Sequence, residues 1–110
     1  MAAAEFARVV AERPADSNAR RHLGEVLMLW GDQLAAAGNF EEAATHYTGA
    51  ISLRADDPEL RVNLGNALLR LGRFEDARVQ FSTALRLAPD SQVARKTLDM
   101  LDSRVREKPR

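Results

Sequence analysis

GRFEDA occupies residues 72–77, and GNFEEA occupies residues 38–43, an interval of 34 residues. When the chain is laid over itself at that interval, residues 24–57 fall on residues 58–91. Ten of those 34 positions are identical: Glu25/Glu59, Gly31/Gly65, Leu34/Leu68, Gly38/Gly72, Phe40/Phe74, Glu41/Glu75, Ala43/Ala77, Ala50/Ala84, Leu53/Leu87 and Asp56/Asp90. Trp30/Leu64, Tyr47/Phe81 and Ile51/Leu85 match in kind. The shared positions are rich in glycine, alanine and rings, the types that helix contacts select by size. The fold is therefore written as a repeat.

Each unit reads as two helices. In the second, Asp57 is placed to cap a helix whose first position is Pro58, where the missing amide hydrogen has no partner to lose. Leu60, Leu64, Leu68 and Leu71 recur at helical spacing. Gly72 ends the helix, as a glycine in the left-handed region commonly does. A second helix is expected from about Phe74 to Leu87, with Phe74, Ala77, Phe81, Ala84 and Leu85 on its apolar face and Pro89 as its stop. In the first unit Asn39 is an expected cap, with Glu42 three residues on completing a capping-box-like pair. Gly31 and Gly65 fall inside helices, where glycine costs roughly 0.5–1 kcal/mol against alanine. That cost, repeated one unit apart, implies close packing of the paired helix, with Ala43 and Ala77 expected to be small for the same reason on the facing helix.

Trp30-Gly31, Leu34, Gly38, Phe40, Ala43, Tyr47 and Ala50 in one unit, and Leu64-Gly65, Ala67-Leu68, Gly72, Phe74, Ala77, Phe81, Ala84 and Pro89 in the next, resemble the tetratricopeptide repeat. The two units cover about 60% of the chain. The first departs from the family pattern at Gln33, and at Ala55 where proline is usual. The resemblance implies an all-α fold of antiparallel helix hairpins stacked as a short right-handed superhelix, with about six helices in a single domain spanning 1–110. Phe6, Val9 and Pro14 match the spacing of Phe81, Ala84 and Pro89, so residues 2–16 read as a truncated repeat helix. The first repeat takes 17–57, the second 58–91, a closing helix 92–106 and a tail 107–110. Ala94, Leu98, Leu101 and Val105 give the closing helix a docking stripe. Leu23-Gly24 and Trp30-Gly31 both look like the packing pair, seven residues and nearly two turns apart. Residues 17–37 are thus read as one helix of about 30 Å; the alternative is a break near Gly24.

Composition narrows the function classes. The chain carries 16 basic and 16 acidic residues and is formally neutral, which argues against a nucleic-acid partner, for which a clustered basic excess is usual. The balance is uneven: residues 24–90 hold 6 basic and 10 acidic side chains, and residues 91–110 hold 6 basic and 3 acidic. The basic end, mostly Arg104, Arg106, Lys108 and Arg110, reads as a solvated helix end or a contact for an acidic partner or lipid. There is no cysteine, so disulfides and thiolate metal sites are excluded and the redox compartment stays open; the location is unassigned, with the cytoplasm slightly favoured. The longest apolar run, VLMLW at 26–30, is far short of the roughly 20 residues that span a bilayer, so no direct membrane insertion is expected.

No catalytic constellation is visible, and neither an enzyme activity nor a cofactor is expected. Glu42 and His46, or His22 and Glu25, could share a helix face, but a catalytic zinc site needs three protein ligands. Asp56-Asp57 and Glu41-Glu42 sit at helix starts, where carboxylates favour the helix dipole; Ser17 and Ser91 read as caps. The family resemblance implies instead a protein or peptide partner held on the face formed by the first helix of each pair. Carried onto this sequence, the contact residues are Glu25, Met28, Leu29 and Asp32 in the first unit, Glu59, Val62, Asn63, Asn66 and Arg70 in the second, and Val93, Lys96, Thr97 and Met100 in the closing helix. Val93, Thr97 and Met100 lie about 60–100° around from the docking stripe, as a widened core face or a contact surface, and Met28 is open in the same way. Asn63 and Asn66 stand in NLGN, which resembles the asparagine-lined groove of repeats attached to sugar-transferring enzymes and is also common in bacterial repeats; a solvated helix face is the plainer reading. Chaperone-binding members clamp a C-terminal carboxylate. At the aligned positions Met28, Asp32, Asn63, Val93 and Thr97 only Asn63 fits, and Asp32 would repel the carboxylate. Two further readings are a homo-oligomer through the array ends and a docking arm of a larger enzyme or membrane protein.

Overall fold

The computed structural model describes residues 17–107, with side chains through residue 103. Within that range the chain forms five helices: α1 (Ser17–Ala36), α2 (Phe40–Ile51), α3 (Pro58–Arg70), α4 (Phe74–Leu87) and α5 (Gln92–Glu107). The helix expected over residues 2–13 lies outside the described residues, as do 108–110 of the tail and the side chain of Val105. Packing runs between chain neighbours. The pairs α1/α2 and α3/α4 form two hairpins, α2 stacks on α3, and α5 closes on α4. The two first helices, α1 and α3, touch only sparingly, which leaves a cleft between them.

Local chemistry sets the hairpins. Gly38 (φ 84°) and Gly72 (φ 77°) take the left-handed conformation, which costs glycine nothing. After α1 the amides of Gly38 and Asn39 donate to Ala35 O (3.0 Å) and Leu34 O (2.8 Å). After α3 those of Gly72 and Arg73 donate to Leu69 O (3.0 Å) and Leu68 O (2.9 Å). This is the Schellman closure in both units. It alters one expectation. Asn39 stands at the N-cap of α2 but its side chain makes no capping bond, because its backbone amide already closes the preceding helix and the turn is too tight to present the side chain. Asp57, reached through a longer loop, does cap: its Oδ1 accepts from Leu60 N at 3.3 Å. Ser91 Oγ likewise accepts from Ala94 N at 3.3 Å. Ser17 is already helical where the described residues begin.

The core joins both hairpins. Ala43, Ala50, Leu60, Ala77, Phe81 and Ala84 are fully buried, and Tyr47, Leu64, Ala67, Leu68 and Leu101 nearly so. The helix glycines admit aromatic rings. A Cβ at Gly31 would lie 2.7 Å from Tyr47 Cε1, and one at Gly65 would lie 2.7 Å from Phe81 Cε2. The nearest neighbours are thus the rings one turn beyond Ala43 and Ala77, which the sequence reading did not single out, and both alanines are buried at 0% exposure on the same facing helices. α1 runs unbroken across Gly24. There the aliphatic stem of Arg54 packs on the glycine, its Cγ 2.7 Å from the site of a Cβ. The Arg54 head pairs with the Asp57 cap at 3.1 Å, so one side chain ties the N-terminal part of α1 to the start of α3. In α5, Ala94 and Leu101 are buried as the stripe requires, and Arg78 of α4 pairs with Asp102 at 2.6 Å.

Candidate functional site

The cleft on the face of the first helices has a volume of about 410 Å³. Asp32 from α1 and Asn63, Asn66 and Arg70 from α3 line it, with Phe40 and Tyr47 of α2 at its base. Asp32, Asn63 and Asn66 face one another because 31 and 34 residues separate them, so the repeat places them at neighbouring rungs. Asp32 is half-buried and its Oδ1 accepts two hydrogen bonds: the Tyr47 hydroxyl donates at 2.5 Å and the Asn63 amide at 3.3 Å. Burial raises the Tyr47 phenol above its ordinary value, and the hydrogen bond to Asp32 and that residue's charge raise it further. The hydroxyl therefore remains a donor, and Asp32 remains the acceptor. Arg70 places its guanidinium over the Phe40 ring, with Cζ 4.8 Å from the centroid, a cation–π contact.

The remaining sequence-derived positions are not among the residues lining this cleft. Met28 and Val62 are half-buried and pack against the core. Glu25 and Glu59 are exposed on α1 and α3, and Lys96 is exposed on α5. Val93 and Met100 stand free of the core at 57% and 58% exposure, and Thr97 is half-buried. Leu29 is 52% exposed. Sequence reasoning missed Tyr47 and Phe40 as parts of the site. A signal existed: the first unit has Tyr47 and Asp32 where the second has Phe81 and Asn66, so a hydroxyl and an acid appear together in one unit and are missing together from the other.

A second depression, of about 430 Å³, lies between the second helices α2 and α4 and is lined by Ala44, Thr48, Leu64, Leu68 and Val79. On its charged rim Arg73 pairs with Glu41 at 3.0 Å. The histidines are engaged within their own helices: His22 Nδ1 lies 2.8 Å from Asn18 O and His46 Nδ1 lies 2.9 Å from Glu42 O. His46 also meets Trp30, ring centroids 4.5 Å apart. No three potential metal ligands come together among the described residues. No described helix is long and apolar enough to cross a membrane.

A family model described as tetratricopeptide repeat matches residues 34–104. The chain belongs to the tetratricopeptide repeat family. No curated protein matches it in sequence. Among solved structures, this tetratricopeptide repeat chain is similar to the second such domain of human RPAP3, determined by NMR in complex with the HSP70 peptide SGPTIEEVD. Identity is 23% over 88% of this chain and 75% of that one, with a TM-score of 0.61. A point mutant of MamA is similar at 18% identity over 91% of this chain and 80% of that one, with a TM-score of 0.69. These likenesses show the shared fold: stacked tetratricopeptide hairpins.

Proposed function

We propose that the chain is a non-enzymatic interaction module that holds an extended segment of a partner protein on the face of α1 and α3, continued by the exposed side of α5. The observation that carries this reading is the cleft of about 410 Å³ in which Asp32, Asn63, Asn66 and Arg70 converge. An extended segment carries unpaired backbone donors and acceptors. Asn63 and Asn66 supply both kinds from one helix, three residues apart, and the ring-backed Arg70 adds a cation. Leu29 on α1 and Val93 and Met100 on α5 offer exposed apolar contacts, and Glu25, Met28, Glu59, Val62, Lys96 and Thr97 complete the proposed contact set. The peptide held by the RPAP3 domain supports the general mode. Its chemistry does not carry over, since Asp32 opposes an acidic tail and Met28, Val93 and Thr97 provide no cation.

The test is a peptide display selection on the purified chain followed by NMR mapping. Selected peptides are expected to shift the resonances of Asp32, Asn63, Asn66 and Arg70. Asn66→Ala and Met100→Ala are expected to weaken binding several-fold with the melting temperature almost unchanged. Shifts confined to the α2/α4 depression would overturn this placement.

A second reading, self-association through the array end, is favoured by the exposed Val93 and Met100 on α5. Sedimentation over a wide concentration range decides it, and a monomer throughout removes it.

A further inference from the structure

Asp32 is an anion with one oxygen fully used and the other unclaimed. Its Oδ1 takes both the Tyr47 hydroxyl and the Asn63 amide, while Oδ2 has no hydrogen-bond partner among the described residues. The ion pairs of the described residues join Arg54 to Asp57, Arg73 to Glu41 and Arg78 to Asp102; none includes Asp32. The cationic residue of the cleft, Arg70, lies over the Phe40 ring and keeps its charge, but makes no ion pair with Asp32. The surroundings do not neutralise the site either, since Glu25 and Glu59 are exposed on the same two helices and residues 24–90 carry four more acidic than basic side chains, 10 against 6. A half-buried carboxylate held by two donors on one oxygen, with no ion-pair partner among the described residues, is complementary to a cation brought from outside.

We infer that the cleft selects a peptide segment bearing a lysine or arginine, whose cationic head pairs with Asp32 while Asn63 and Asn66 engage its backbone. This inference rests on the reading of the α1/α3 face as the binding face, and adds the charge of the occupant. The network gives the selection its geometry. Tyr47 and Asn63 approach one oxygen and so fix the plane of the carboxylate, leaving the other oxygen to the incoming cation. In the second repeat the corresponding residues are Phe81 and Asn66, so the array has one acidic rung here, and one basic side chain suffices.

The experiment uses the full 110-residue chain and random peptides displayed in a flexible linker. The best peptide is synthesised, and its affinity is measured by fluorescence anisotropy on wild type, Asp32→Asn and Asn66→Ala. The expected result is a shared Lys or Arg among selected peptides, a loss of about tenfold or more in affinity with Asp32→Asn, which a single charge-assisted contact supplies, and a similar loss on wild type when the basic residue of the peptide becomes Gln. That peptide-side substitution keeps the test intact if Asp32→Asn fails to fold. Peptides that bind with Asn66-dependent affinity but need no basic residue, or bind Asp32→Asn equally well, overturn the charge selection and leave the binding face standing. Failure to select any peptide, or binding indifferent to both Asp32 and Asn66, overturns the face and the charge selection together.

Discussion

A methyl group on Gly65 would lie 2.7 Å from Cε2 of Phe81, a ring with no exposed surface and no room to retreat. Gly65→Ala is therefore expected to destabilise the chain by about 1–3 kcal/mol, against a helix propensity that alone would favour it by roughly 0.5–1 kcal/mol. Gly49→Ala makes the contrast, because its Cβ would meet Leu27 Cδ1 at an ordinary 3.6 Å. That variant is expected to gain about 0.5 kcal/mol in the same urea titrations. The need for the interior glycines was legible in the sequence, since they recur one unit apart. Their partner was not, because two residues one turn apart on the facing helix satisfy the same spacing and only the crossing of the helices chooses the ring over the alanine. Tyr47 carries a second residue-scale consequence. It is the only tyrosine in the chain, so its ionisation can be read directly by phenolate absorbance. The unfolded phenol ionises near its ordinary value of 10.0 while the folded one stays protonated beyond it. Its contribution to stability is thus fully present below about pH 10 and falls as pH rises above it, by up to about 1.4 kcal/mol per pH unit. Tyr47→Phe is expected to cost about 1 kcal/mol at neutral pH, and its deficit against wild type should close above pH 10.

At the scale of the element, the starts of α2 and α3 look alike in sequence and behave differently. Asp57→Ala removes a bond to Leu60 N and an ion pair with Arg54, and should lower stability by about 1 kcal/mol. Asn39→Ala removes no side-chain capping bond, and its denaturation midpoint should shift by less than about 0.5 kcal/mol equivalent. Both residues are good capping types, and composition cannot separate them. The difference comes from the loops. Asn39 must finish one helix and begin the next, with φ −88° and ψ 68°, whereas Asp57 has φ −94° and ψ 106°, in the extended region a capping residue needs. Helix existence, by contrast, was readable throughout the described chain: apolar spacing and Gly72 marked α3 and α4 nearly to the residue.

At the scale of the whole molecule, the Cα radius of gyration is 15.2 Å, against about 13 Å for a compact chain of this length. The excess is the mark of stacking in one direction, where helices pack chiefly on their chain neighbours and stability is close to a sum of nearest-neighbour terms. Leu101 shows what this implies. It is 2% exposed and belongs to the shared core, so Leu101→Ala is expected to cost about 2–4 kcal/mol. The loss should appear first at one end, with hydrogen exchange accelerated in α5 and α4 well before α3. The candidate face was legible here only in outline. Family resemblance placed Asp32, Asn63, Asn66 and Arg70 on one surface, but the hydroxyl beneath them comes from the partner helix, and no spacing rule along a single helix finds a contact made across a hairpin.

The two 34-residue units also present different polar groups at one matched rung, Asp32 in the first and Asn66 in the second. A repeat spaced by its backbone can thus change the charge it offers a partner one unit at a time, as marks on a ruler are changed without altering the interval between them.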